Sequence, residues 1–393
     1  MARRIIVVGG GASGLMAAIT AARKGAEVTV LEQNDRPGKK LGATGNGRCN
    51  LTNLQRPKDA YRGSDPCFAR EALHRFSVQD TIRFFSELGI YTINKRDWIY
   101  PRSGEASSVT EVLLMEASRL GVVIKTREKA VSVKREENCW QVLTEGWSYQ
   151  GDCVILAGGS RASSISGADG SCYDLAEQLG HRLIPVLPAL TALRCREGSF
   201  ASWGGVRTEG EVTLHVQEEE ARRAAGELQL TEYGISGIPI FQLSRYAIQA
   251  IHREKEARLT VDFLPEFSQD GLKALLNARR RNCPYKNDRE LLVGLFPEKL
   301  SKVLRREKDL IPAIKAYPLQ VTGGMSFAQA QVCQGGVDTS QVWPETMESR
   351  LHPGLYFAGE LLDVDGTCGG YNLQWAWSSG ATAGRSAAAE RKM

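Results

Sequence analysis

Arg4-Ile-Ile-Val-Val-Gly-Gly-Gly-Ala-Ser-Gly14, an alanine-rich stretch to Lys24, and then Glu27-Val-Thr-Val-Leu-Glu32 decide the fold. Ile5 to Val8 are apolar and β-branched without interruption, which predicts a strand buried on both faces of a parallel sheet. The glycines fall at 9, 11 and 14, where the strand turns into a helix, and Gly25 closes that helix as a C-cap. Gly9 makes the tight turn, Gly11 lets backbone approach a pyrophosphate, and Gly14 lets helix and strand pack closely. Ala12 and Ser13 lie at the helix start, where free N–H groups and the positive dipole end attract an anion. Glu32 closes the second strand with Gln33 beside it. Its carboxylate suits the two hydroxyls of an adenosine ribose and would repel a 2′-phosphate. Strand, glycines, helix, strand and acid in register predict an adenine dinucleotide.

The far end of the chain turns that dinucleotide into FAD. Gly354-Leu-Tyr-Phe-Ala-Gly-Glu360 reads as a late strand ending at Gly359 and Glu360. A glycine-rich loop carrying Asp365 follows, then a helix from Tyr371 to about Ala383 that begins Gly370-Tyr-Asn372-Leu373. A flavin, unlike a nicotinamide, needs contacts along its ribityl chain and a positive field at its pyrimidine edge, and a helix aimed at the ring supplies one. Cys153-Val-Ile-Leu-Ala157-Gly158-Gly159 reads as a middle strand that stops where the chain passes over a cofactor. Between Arg36 and Asn53, Lys39, Lys40 and Arg48 gather charge beside a diphosphate, and Gly42, Gly45 and Gly47 let a loop carrying Asn46, Cys49 and Asn50 wrap closely. Val131 completes the expected cofactor-binding set. No second GxGxxG lies between a strand and a helix, so any NAD(P)H docks transiently near the flavin.

Bulk properties narrow the setting. The 393 residues allow two or three packed units, and 42% hydrophobic with 24% charged residues is ordinary for a globular chain. Met1-Ala-Arg-Arg4 leads straight into a strand, without the apolar core of a signal peptide, and no apolar run is long enough to span a bilayer; a cytoplasmic, non-membrane protein is expected. The 9 cysteines include no Cys-x-x-Cys, which argues against a zinc ribbon, an iron–sulfur ligand run and a redox dithiol; no metal is expected. A net charge of +5 decides little.

The fold expected is α/β: a Rossmann-like FAD-binding domain of the two-dinucleotide-binding-domain flavoprotein type, with an inserted antiparallel β-domain and a helical cap. Residues 1–188 and 319–393 would form the FAD domain, with Pro185, Pro188 and Pro318 near the junctions. Residues 189–267 alternate polar and apolar in four runs, 191–195, 211–216, 227–231 and 258–263, as antiparallel strands do. Residues 268–318 carry helical leucine spacing. Arg279 to Arg281, Lys299, Lys302, Arg305, Arg306 and Lys308 make this cap (273–308) basic, which suits either a solvated face or a polyanion such as RNA.

Several blocks together resemble the BaiN/RdsA family of bacterial flavoproteins, which also holds the aminoacetone oxidases. They are Arg36 to Asn53 with Gly-Asn-Gly-Arg-Cys-Asn50 at its heart, Trp98-Ile-Tyr-Pro-Arg-Ser103, Thr231-Glu-Tyr-Gly-Ile-Ser-Gly-Ile-Pro239, Val321-Thr-Gly-Gly-Met325 and Ala358 to Gln374. The likeness spans essentially the whole chain. Ile238 departs from it, since many relatives place proline directly after Ser-Gly. The resemblance implies an FAD-dependent oxidoreductase, either an NAD(P)H-dependent reductase of a C=C bond conjugated to a carbonyl or an amine oxidase of the aminoacetone type using O2. For the reductase the substrate would be an enone small molecule or a uridine of 23S rRNA, and the basic cap tilts the reading modestly toward uridine. A non-enzymatic, flavin-bound RNA-interaction protein is a third reading. Reduction needs a proton donor near the flavin, and the candidates are Cys49, Cys368 and Tyr371. Cys368 stands at a helix start, where its thiol pKa is expected to fall.

Overall fold

The computed structural model describes residues 2–137, 139–196, 200–287 and 290–389. They form two compact units: residues 1–186 with 332–393, and residues 187–331.

The first unit is built on a five-stranded sheet of order Leu355–Phe357, Cys153–Leu156, Arg4–Val8, Glu27–Glu32, Val123–Thr126, parallel throughout. Ile5 to Val8 and Cys153 to Leu156 are buried along their whole length, as apolar runs in the middle of a covered parallel sheet must be. The glycine turn leads into the helix Ala12–Ala22, which packs against the C-terminal helix Tyr371–Ala388. Small residues set that approach. A Cβ on Gly380 would lie 2.4 Å from the Ser13 carbonyl oxygen, and one on Gly384 would lie 2.2 Å from that of Ala17. The helix runs past the expected Ala383 because nothing in Gly-Arg-Ser-Ala-Ala388 stops it. A three-stranded antiparallel sheet (Ala130–Arg135, Trp140–Thr144, Ser148–Gly151) precedes the strand Cys153–Leu156. Two short ladders, Thr52–Asn53 on Trp98–Pro101 and Asp365–Gly366 on Tyr61–Arg62, hold the loops at the carboxyl end of the sheet.

The second unit is a closed six-stranded barrel, ordered Leu193–Cys195, Gly234–Gly237, Glu219–Thr231, Arg207–Val216, Ala257–Asp262, Tyr317–Gly324. Closure removes every exposed edge. Two expectations change here. The return to the first unit comes at Val332 rather than 319, because Tyr317–Gly324 pairs on both sides and closes the barrel, burying Tyr317, Leu319 and Val321. The helical stretch 268–318 is not a body of its own: Leu272, Leu276, Leu300 and Leu304 share one core with the barrel's Val212, Leu214 and Leu259. A helix that alternation did not reveal, Ile238–His252, follows the Ser-Gly turn. Ile238 leads into it from the Gly237 N-cap, and Pro239 sits in its first turn, where a missing N–H costs nothing.

All 9 cysteines are free thiols. Among the described residues no helix is long and apolar enough to cross a membrane, and no three His, Cys, Asp or Glu side chains gather as metal ligands would.

Candidate functional site

The carboxyl end of the parallel sheet gathers most of the residues singled out from the sequence. Gly9 has φ +105°, and a Cβ there would lie 2.6 Å from the Ala157 carbonyl oxygen; one on Gly14 would lie 1.9 Å from that of Gly9. Both positions therefore demand glycine. Beside Gly11 there is open space, and as N-cap it offers the helix no side-chain cap. Free N–H groups and room above them are what a pyrophosphate requires. Glu32, 6% exposed, accepts hydrogen bonds from the Gly10 N–H (2.8 Å) and from the Asn34 N–H and Nδ2 (both 2.8 Å). Its carboxylate is thus oriented at the strand end with acceptor capacity to spare. Gln33 donates to the Gly167 carbonyl at 2.7 Å and so ties down the loop after Gly159. Val131 is the extra residue of a bulge, between Ala130 facing Thr144 and Ser132 facing Leu143. It is half-exposed, and its main chain lies outside the ladder, where an adenine edge could pair with it.

The middle strand ends as expected. Gly158 is packed against the Cys172 thiol, and Gly159, at φ +75°, has open space on its Cβ side. Gly359, also at φ +75°, lies against Ser13, so the late strand does return to the first helix. The segment after Arg36 differs from a plain loop. It forms a helix, Lys39–Gly47, that breaks at Thr44–Asn46; Gly45, Asn46, Gly47 and Cys49 all adopt left-handed φ. Its charge is also less available than expected. Lys39 pairs with Asp35 at 2.5 Å, and Lys40 pairs with Glu360 at 2.6 Å, whose Oε2 also accepts from Ser160 at 2.8 Å. Of the three cations only Arg48 stands exposed and unpaired.

Around the C-terminal helix the loop is self-supporting. The Asn372 carboxamide accepts from the Gly366 N–H at 2.8 Å and donates to the Gly366 carbonyl at 3.0 Å. Asp365 is buried beside Arg62, the two 3.4 Å apart. Both residues brace the loop that leads into the C-terminal helix. Leu373 is half-buried against the first unit's core. Gly370, the N-cap at φ +95°, leaves no room for a Cβ: Asn50 Oδ1 would be 2.8 Å away and the Thr52 carbonyl oxygen 2.9 Å. Asn50 is 8% exposed, and neither its Oδ1 nor its Nδ2 has a hydrogen-bond partner. Such a residue is rare in a native fold, and its two polar atoms fit hydrogen bonding to a bound polar group.

The three candidate acids separate clearly. Cys49 is fully buried, and burial pushes its thiol up to about 12. Tyr371 donates its hydroxyl to the Gln55 carbonyl at 3.2 Å and packs edge-on against Tyr61. Cys368 remains partly exposed, but burial pushes its thiol up to about 11. The expected drop does not occur, because the cost of desolvating a thiolate outweighs the helix dipole. All three residues stay protonated at neutral pH. Tyr100 stood in the sequence only as part of the Trp98–Ser103 block and not as a candidate acid; burial holds its phenol above its ordinary range, with Cys368, Cys49 and Arg48 among its electrostatic neighbours.

In the second unit the basic cap is partly committed to its own fold. Arg279 donates to the Leu291 and Val293 carbonyls, at 2.9 and 2.6 Å, and Lys299 donates to that of Gly204 at 2.8 Å. Lys302 pairs with Glu298 at 2.5 Å.

Known proteins share this architecture. A 3-dehydro-bile acid delta(4,6)-reductase of Clostridium scindens is 45% identical over 407 residues, covering 99% of both chains. A ribosomal RNA dihydrouridine synthase of Haemophilus influenzae is 31% identical, covering 95% of this chain and 96% of the relative. Among solved structures, the 3-ketosteroid-delta4-(5alpha)-dehydrogenase of Rhodococcus jostii superposes with a TM-score of 0.50 at 16% identity, over 99% of this chain and 97% of that one, a likeness of fold alone. Residues 3–386 match the HI0933-like protein Rossmann domain, and the chain belongs to that family, an FAD-dependent oxidoreductase on a Rossmann-type FAD-binding fold.

Proposed function

We propose that the protein reduces a C=C bond conjugated to a carbonyl in a small-molecule enone, with NAD(P)H as the transient reductant. The observation that carries this choice over rRNA is the cap: Arg279, Lys299 and Lys302 are engaged within their own unit, which weakens the polyanion footprint. The 45% identity to a reductase of 3-dehydro bile acids points the same way.

The residues fit FAD. The Gly9–Gly14 turn and the helix end behind it would hold the pyrophosphate, Glu32 the adenosine ribose, the Val131 backbone the adenine, and the Gly370 end of the C-terminal helix the flavin ring. Bound there, FAD would supply the hydride. The protein's own part is to deliver a proton to the other carbon. Cys368 fits that role best among the three acids, since its thiol is partly exposed and protonated at neutral pH. Cys49 is sealed, and Tyr371 is engaged with Gln55. The steps balance: the double bond gains one hydride and one proton, the nicotinamide is oxidised, and solvent returns the thiol proton.

Anaerobic stopped-flow mixing of holoprotein with NADPH or NADH should bleach the flavin absorbance, and a 3-keto-4-ene steroid should restore it. Bleaching by aminoacetone, and by neither nicotinamide, would overturn this reading in favour of an amine oxidase. Uridine reduction remains the second reading, carried by the 31% identity to an rRNA dihydrouridine synthase. It predicts that a deletion strain lacks a dihydrouridine in 23S rRNA.

A further inference from the structure

Among the described site residues, Asn50 is buried with both polar atoms of its side chain left unused. It is 8% exposed, so water does not freely reach it, yet Oδ1 and Nδ2 both lack partners. Burying a carboxamide in that state costs more than burying leucine, and a sequence under no other demand would hold an apolar residue there. Backbone strain points to the same place. Cys49, with φ +55°, and Asn46, with φ +54°, adopt a region that residues other than glycine rarely enter, within five residues of each other and immediately before Asn50. A third feature fixes what the amide meets. Gly370, the N-cap of the 18-residue C-terminal helix, lies so close that a Cβ there would stand 2.8 Å from Asn50 Oδ1. That helix begins without a side-chain cap. An uncapped positive helix end and an unpartnered amide thus share one spot.

We infer that Asn50 sets the redox poise of the bound flavin: its carboxamide hydrogen-bonds the polar edge of the ring and raises the potential for two-electron reduction. This rests on the FAD reading above and adds a specific role for one residue. On reduction the ring takes up two electrons and one proton and carries one net negative charge. A donor that gains strength against that charge favours the reduced form, as the helix end beside it does.

The test compares wild type with Asn50→Leu and Asn50→Ala, each loaded with FAD and titrated with dithionite against a reference dye. In both variants the reduction equilibrium should shift about tenfold toward the oxidised form, a potential about 30 mV more negative. Without FAD, Asn50→Leu should melt higher than wild type, since it removes an unsatisfied buried group, and the rise in Tm on adding FAD should shrink. A merely structural asparagine would do the reverse and lower the apoprotein's Tm. Wild-type potentials in both FAD-loaded variants would overturn the inference and leave the FAD reading intact; the amide would then be satisfied by water. Failure of wild type itself to bind FAD would refute the cofactor reading first.

Discussion

At the scale of single residues, three side chains carry testable consequences. Glu32 faces two sets of N–H donors, so Glu32→Gln places an NH2 where an acceptor is needed. FAD affinity should fall about 10- to 100-fold, the worth of a charge-assisted hydrogen bond, as fluorescence titration of apoprotein would report. Cys368→Ser keeps a hydroxyl at the proposed donor position but changes its acidity. Turnover should drop about 10²-fold or more while FAD content and nicotinamide bleaching persist, and full turnover would remove Cys368 as the acid. His181 is buried in the first unit, with Nε2 2.9 Å from Ser349 Oγ and Nδ1 unpartnered; burial, then the neighbouring His352, pushes it down to about 4. The unfolded chain binds this proton near pH 6.5 and the folded one only near 4. The stability that neutral His181 preserves is therefore fully present above about pH 6.5 and is lost as pH falls toward 4, on the order of 3 kcal/mol. Urea melts at pH 7 and pH 4.5 should show the loss, and His181→Gln should reduce it. Glu32 and Cys368 drew notice in the sequence through their motifs. His181 did not, because nothing local distinguishes a buried histidine from an exposed one.

Elements depend on close contacts that the glycine pattern foretold only in part. Gly14 was legible, since GxGxxG implies a helix packed tightly on its strand, and the 1.9 Å clearance to the Gly9 oxygen bears this out. Gly380 and Gly384 were not, because their partners lie more than 360 residues away, on the first helix. Gly384→Ala would push a methyl to within 2.2 Å of the Ala17 oxygen and should cost about 1–3 kcal/mol of stability. Gly25→Ala is the contrast: nothing stands near its Cβ, and only its φ of +87° opposes the change, so the penalty should be about 1 kcal/mol. Thermal melts of the two variants should rank in that order. The kink at Thr44–Asn46 is likewise tertiary; glycine and asparagine permit left-handed backbone but do not require it.

On the scale of the whole molecule, the sequence by itself determined the class of cofactor and the plan of the sheet. Uninterrupted β-branched runs have nowhere to go but a covered parallel sheet, and glycines at fixed offsets from a strand and a helix leave room for a pyrophosphate and little else. These are local constraints, written within about 30 residues of chain. Tertiary structure alone decided where the barrel closes, since Tyr317–Gly324 reads equally well as the start of the returning limb until its two partner strands are known. It also decided which charges are available. Lys40 looks like a phosphate ligand in sequence and turns out to face Glu360, and Arg279 binds carbonyls of its own unit. The acidity of Cys368 followed the same logic: its helix position is written in the sequence, but the desolvation that reverses its shift comes from neighbours brought there by folding. Charge and acidity depend on distance through space, and only the folded chain sets those distances.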